Sequence, residues 1–146
     1  MNDDIEIVAG DDGDSREIER SLLASLREAL PQATNRRFVL CARTKEGRLV
    51  AGATFETSYG WAAIKTLWVA QEYRRRGLAR ALMLKAEMQA IELGCHGAWL
   101  DTSNPQARAF YEALGYRVFG SLENGPDQLP QTHRRWFLNK ALADDG

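Results

Sequence analysis

A chain of 146 residues with 45% apolar and 27% charged side chains has the size and composition of one globular domain, which excludes wholesale disorder and a coiled coil. No apolar run approaches the ~18 residues of a membrane helix, and the acidic start Met1-Asn2-Asp3-Asp4 lacks the apolar stretch of a signal peptide. With 19 basic and 20 acidic side chains the net charge is −1, which argues against a general nucleic-acid binder and leaves room for a local basic site.

In chain order, the apolar period changes several times, and each change predicts an element. Ile5 to Ala9 alternates like a short strand. Asp11 to Ser15 is a turn and helix-cap cluster. Ile18, Leu22, Leu26 and Leu30 then recur at helical spacing, closed by Pro31. Phe38–Ala42 and Leu49–Phe55 are strands joined by the turn Thr44-Lys45-Glu46-Gly47, a hairpin. After Ser58-Tyr59-Gly60 comes a third strand, Trp61–Val69. Leu78, Leu82, Ala86, Ala90 and Leu93 share one helical face, ended by Gly94. Ala98–Leu100 is a short buried strand.

Asn104-Pro105 opens another helix, since Asn caps and Pro suits the first turn. Its inner face is Ala107, Phe110, Tyr111 and Leu114, and Gly115 ends it. Tyr116–Phe119 is a strand, and Ser121–Thr132, with Gly125, Pro126 and Pro130, is a loop. The last strand is Arg134–Leu138, and residues 143–146 form a frayed tail. Residues 1–146 thus read as one domain with no repeat or linker.

The short turns make the first sheet strands antiparallel neighbours. The unit Trp61–Val69, Leu78–Leu93, Ala98–Leu100 is a crossover that makes its two strands parallel. The expected fold is α/β in the mixed α+β sense: a mostly antiparallel mixed sheet with one parallel pair and helices on both faces. Cys41 and Cys95 are too few for a disulfide framework and lack CxxC spacing, and His96 and His133 are far apart. A metal-free, cytoplasmic chain is expected.

The most informative segment runs from Leu67 to Arg80. A strand ends, a basic loop with Arg74, Arg75 and Arg76 turns, and a helix begins at Gly77. The first N–H groups of a helix have no internal partner, and its dipole favours an anion there. Gly77 lacks a Cβ, so its backbone can approach a phosphate, and Ala79 is the next smallest choice. A solvated basic turn before an amphipathic helix explains the same residues about as well. The segment is neither a Walker loop nor a GxGxxG fingerprint. No aromatic interleaving suggests nucleic acid.

Arg74-x-x-Gly77-x-Ala79, following Leu67-x-Val69, resembles the acetyl-CoA signature of the GNAT superfamily of N-acetyltransferases. Asn104-x-x-Ala107-x-x-Phe110-Tyr111-x-x-Leu114-Gly115-Tyr116 is similar to that superfamily's second signature. The stretch Gly94-Cys95-His96-Gly97-Ala98-Trp99-Leu100-Asp101-Thr102 resembles bacterial members without a settled substrate. The element order matches the superfamily over nearly the whole chain.

The resemblance implies acetyl-CoA as cosubstrate, an amine acceptor and, as is frequent among small members, a homodimer. It implies that Leu67 N–H polarises the thioester carbonyl, a charge-developing oxygen that a fixed donor stabilises. Val69 would pair with the pantetheine arm, with Trp68 beside it. Backbone N–H groups of Arg75, Gly77, Ala79 and Arg80 would hold the pyrophosphate, with Arg74, Arg76 and Leu78 completing the cradle. Tyr111 resembles the general acid for the departing thiolate, and its ordinary pKa near ~10 keeps it protonated at neutral pH. A core tyrosine with a satisfied hydroxyl is the competing explanation. Asn104 either reaches the pantetheine or only caps its helix.

The superfamily's base commonly stands on the strand 61–69, where this chain has Ala63 and Lys65. Glu56 and Asp101 are the remaining acidic candidates, acting through water or by attracting a cationic amine. Lys65 is expected as a solvated strand lysine, the tryptophans Trp61, Trp68, Trp99 and Trp136 in core or interface packing, and His133 in a structural role. Transfer is expected to be direct, since neither cysteine sits in a nucleophile motif. The alternative is a catalytically silent CoA-binding module.

Overall fold

The computed structural model describes residues 4–29 and 36–143. Leu30, Pro31 and the tail from 144 onward, all used in the sequence reading, lie outside the described residues. The chain falls into two compact units, one holding the first helix and one holding everything after it.

In the N-terminal unit, α1 spans Asp12–Ala29. Asp11 and Asp14 cap it reciprocally: each backbone N–H donates to the other's carboxylate at 2.9 Å. The bond that the Asp11 carboxylate accepts from Asp14 N–H is the main cause lowering the Asp11 pKa. The strand expected at Ile5–Ala9 does not form. Residues 4–10 carry no regular structure, and Ile7 is fully exposed. Alternation supplies only the side-chain pattern of a strand; its backbone groups still need a ladder partner.

The larger unit is built on a six-stranded sheet: β1 (Arg36–Arg43), β2 (Leu49–Ser58), β3 (Trp61–Val69), β4 (Gly97–Thr102), β5 (Arg117–Glu123) and β6 (Arg134–Ala141). Their order is β1-β2-β3-β4-β6-β5. All neighbours are antiparallel except β3 and β4, which run parallel across the helix α2 (Leu78–Glu92). The short helix α3 (Pro105–Ala113) links β4 to β5. The hairpin, the crossover and the mixed sheet therefore match the sequence expectation. The last loop is shorter than expected, because β5 runs on through Ser121 to Glu123.

The helices α2 and α3 pack into one core with Phe55, Ala62, Ile64, Ala98, Leu100 and Leu138. Burial along β3 alternates until Lys65 and Thr66, which are both exposed, and then resumes with the opposite parity. The cause is a β-bulge. Thr54 pairs with Thr66 but Phe55 pairs with Ile64, which leaves Lys65 unopposed. Leu67 and Val69 consequently face the core side, and Trp68 turns outward with 48% of its surface exposed. Of the core or interface packing expected for Trp68, the core alternative is therefore excluded. Trp136 is buried as expected.

The core holds one polar knot. Glu87 of α2 is 6% exposed, and its Oε2 accepts a hydrogen bond from the Tyr116 hydroxyl at 3.0 Å. Lys140 of β6 donates to Oε1 at 2.6 Å. Burial first, and then the Glu87 charge, push the Tyr116 phenol well above its ordinary value. A raised phenol pKa means that the fold favours the neutral form. Its contribution to stability is complete below the unfolded value of about 10 and is lost as pH rises beyond it. Thermal melts from pH 8 to pH 11 should show that decline. Tyr116→Phe should melt lower at pH 8, by an unmatched carboxylate oxygen worth about 1–3 kcal/mol. It should also lose less on going alkaline. Parallel pH curves for the two proteins would contradict the assignment.

Candidate active site

Strands β3 and β4 pair only over Trp61–Gly97, Ala62–Ala98 and Ala63–Trp99. Beyond Ala63, β3 continues to Val69 without a partner on that side. Ala70 N–H donates to Val50 of β2 at 2.8 Å. Backbone polar groups alternate sides along a strand, so those of Leu67 and Val69 point away from β2, into the gap. The gap opens into a cleft of about 470 Å³.

One wall is β3 itself, from Leu67 to Val69. The floor is the loop and first turn of α2, with Arg74, Arg75, Gly77, Ala79 and Arg80. The opposite wall is α3, through Ala107, Phe110 and Tyr111. Arg74 Nε donates to the Val69 carbonyl at 3.1 Å and ties loop to strand. Arg75 and Gly77 both take left-handed backbone, at φ +65° and +77°. Such turns aim neighbouring N–H groups into one concavity.

Two helix N-termini meet this region, and their chemistry differs. The α3 terminus is capped: Asn104 Oδ1 accepts from the N–H groups of Gln106 at 2.8 Å and Ala107 at 3.4 Å. The α2 terminus begins at Gly77, with no side-chain cap and no acidic residue in the first turn. Its orphan donors therefore face the cleft, and a Cβ at Gly77 would meet nothing within 4 Å. Uncapped donors, a positive dipole end and three flanking arginines form a cradle of the right chemistry for a pyrophosphate.

The two tyrosines of the α3–β5 corner are also distinguished. Tyr116 is the one whose hydroxyl has a structural partner. Tyr111 is 9% exposed, lines the cleft, and its hydroxyl bonds to no side chain or backbone group of the described residues. Desolvation raises its pKa, which keeps the phenol protonated.

Of the residues singled out from sequence, Leu67, Trp68, Val69, Arg74, Arg75, Gly77, Leu78, Ala79, Arg80 and Tyr111 all line this cleft. Arg76 instead lies over the Tyr73 ring, 4.8 Å from its centre, and Asn104 serves as the cap. Glu56 and Asp101 stand outside the lining. Asp101 is held by Arg135 Nε at 2.7 Å, whereas no ion pair engages the half-buried Glu56 among the described residues. Cys95 is buried, with its thiol pKa raised by desolvation, and the exposed Cys41 lies on β1; neither lines the cleft. Sequence reasoning missed Tyr73 as a lining residue, although an aromatic inside a basic strand-to-helix loop was the available signal.

Residues 8–116 match the model of the acetyltransferase (GNAT) family. An acetyltransferase from Agrobacterium fabrum, Atu2258, is 36% identical over 80 residues, which cover 55% of this chain and 58% of that protein. The blasticidin-S acetyltransferase of Streptomyces morookaense is 34% identical over 83 residues, covering 56% and 61%. The matched segments thus span somewhat under two thirds of either relative. The crystal structure of an acetyltransferase from Bacillus cereus superposes with a TM-score of 0.80 at 26% identity, covering 94% of this chain and 98% of that one.

The cradle is tested at Gly77. Gly77→Ala should cost about 1–2 kcal/mol of stability, because an L-residue is forced into left-handed backbone. Gly77→Glu places bulk and negative charge at the anion site, so calorimetry should show CoA affinity falling at least about tenfold, or ~1.4 kcal/mol. Parental CoA binding by the folded Gly77→Glu protein would place the cofactor elsewhere.

Proposed function

The chain belongs to the acetyltransferase (GNAT) family, and from the chemistry of its cleft we propose that it transfers the acetyl group of acetyl-CoA directly to an amine. The supporting observation is that three groups meet in one cleft: the strand edge at Leu67 and Val69 that no neighbouring strand pairs, the uncapped end of α2, and the partnerless phenol of Tyr111. The family match runs from residue 8 to residue 116, across both compact units, which supports treating 1–146 as one transferase domain.

In this reading the α2 cradle holds the pyrophosphate, and the unpaired edge of β3 takes the pantetheine arm as an added strand would be taken. The cosubstrate supplies an activated acyl carbon. Leu67 N–H is aimed where charge develops on the thioester oxygen, and costs no reorganisation when it does. As the C–N bond forms and the C–S bond breaks, Tyr111 gives its phenolic proton to the departing sulfur. The direct route is favoured because the cleft lining contains no thiol.

No carboxylate or imidazole belongs to the lining either, so the proton of the attacking amine leaves through water. Of the two acidic candidates, Glu56 is free to draw a cationic amine toward the sheet, while Asp101 is already neutralised by Arg135.

The test is Tyr111→Phe, which removes one hydroxyl and keeps the ring. Thiol release from acetyl-CoA is first screened over a panel of amines beginning with blasticidin S. With the amine so found, kcat should fall toward the lower end of the roughly 10²–10⁴-fold range of general acids, because a thiolate leaves fairly well unaided. CoA affinity should hold. An unchanged kcat, where chemistry limits turnover, removes Tyr111 from the mechanism. Absence of turnover with every amine would favour the silent-module alternative.

A further inference from the structure

Glu87 is the one buried charged side chain among the described residues. We propose that Glu87, clamped by Tyr116 and Lys140, is a positioning residue for acetyl transfer, fixing the corner that carries Tyr111 to the helix that carries the cofactor cradle. The proposal rests on the role given to Tyr111 above.

The connections are short and directional. Glu87 sits on α2, the helix that begins at Gly77. Its two oxygens are taken separately, Oε2 by the Tyr116 hydroxyl at 3.0 Å and Oε1 by Lys140 of β6 at 2.6 Å. Tyr116 is 2% exposed and in turn reaches Tyr111 twice. Its backbone N–H donates to the Tyr111 carbonyl at 3.1 Å, and the two rings meet edge to face, 6.0 Å apart at 68°. Leu114 N–H donates to the same carbonyl at 3.0 Å. The Tyr111 hydroxyl has no protein partner in the cleft, so the placement of that tip is set from behind, through its ring and carbonyl.

Stability alone gives little reason to keep such a knot. Replacing a buried ion pair with apolar groups of similar volume is commonly neutral or stabilising. What apolar packing lacks is direction, because a carboxylate whose two oxygens are held by separate donors fixes where each donor sits. Productive chemistry tolerates little misplacement of the acid, and a small shift is costly in rate. Binding at the cradle depends on the other end of α2 and is separate from the knot.

A double-mutant cycle tests this, read by thiol release from acetyl-CoA with blasticidin S and with water as acceptors, and by calorimetry with CoA. Tyr116→Phe should lower kcat about fivefold while the acetyl-CoA KM and the CoA Kd stay within about twofold. Added to Tyr111→Phe, it should change kcat by less than about twofold, since it acts through a hydroxyl already absent. The apolar triple variant Glu87→Met, Lys140→Met, Tyr116→Phe should melt near the parent temperature and still show the lowered kcat. If Tyr111→Phe is silent, the assignment of Tyr111 fails. If Tyr111→Phe is impaired but Tyr116→Phe has parental kcat, or its effect multiplies unchanged in the double variant, the positioning role alone is overturned. Full kcat in the apolar triple variant overturns it too.

Discussion

Past Ala63, β3 has a hydrogen-bonding neighbour on one side only. A buried strand edge normally demands a partner, because unmatched backbone donors and acceptors are expensive away from water. The sheet meets that demand over three residue pairs and then withholds it. Everything that makes the cleft useful follows from that gap. It exposes a strip of polar backbone between apolar walls. It sets the start of α2 at one end of the strip and the phenol of Tyr111 opposite. The bulge at Lys65 then turns Leu67 and Val69 into the core, so the strip is anchored by its own side chains while its backbone is left without a strand partner on that side.

The polar knot of Glu87, Tyr116 and Lys140 complements that opening. Strands that diverge lose the ladder that would hold their ends in register. Here α2 and the α3–β5 corner are instead joined through side chains across the core, with β6 as the third support. The rigidity that hydrogen-bonded backbone would have supplied is replaced by one carboxylate with two donors.

Much of this arrangement is visible in the order of residues. Period changes located most of the elements, because a half-buried helix and a half-buried strand impose different spacings. The two signatures placed the cleft residues because they specify backbone geometry, a glycine at a left-handed turn and a proline in a first helical turn. Failures have definable causes. Ile5–Ala9 has the alternation of a strand, but pairing depends on what lies alongside, and no local pattern records that. The bulge at Lys65 reverses inside and outside for the residues after it, so Trp68 faces solvent where strict alternation would bury it. Glu87 is absent from the apolar face that the spacing marks on its helix. Only the tertiary approach of Tyr116 and Lys140 shows why it is buried. Asn104 fits both a cap and a ligand contact by sequence, and its side-chain oxygen is in fact committed to the backbone of its own helix.

The contrast between the two helix starts reaches beyond binding. The α3 terminus is completed by its own sequence, through Asn104. The α2 terminus has no side-chain cap, and in the proposed reading the cosubstrate's pyrophosphate completes it. On that reading the chain delegates one of its helix caps to a metabolite. Whatever fills the cradle binds the folded protein and not the unfolded chain, so it adds to stability by mass action, about 2.7 kcal/mol at a hundredfold excess over its dissociation constant. Resistance to unfolding and proteolysis would then rise and fall with the cell's supply of CoA and its esters, making persistence of the protein a readout of acyl-carrier abundance.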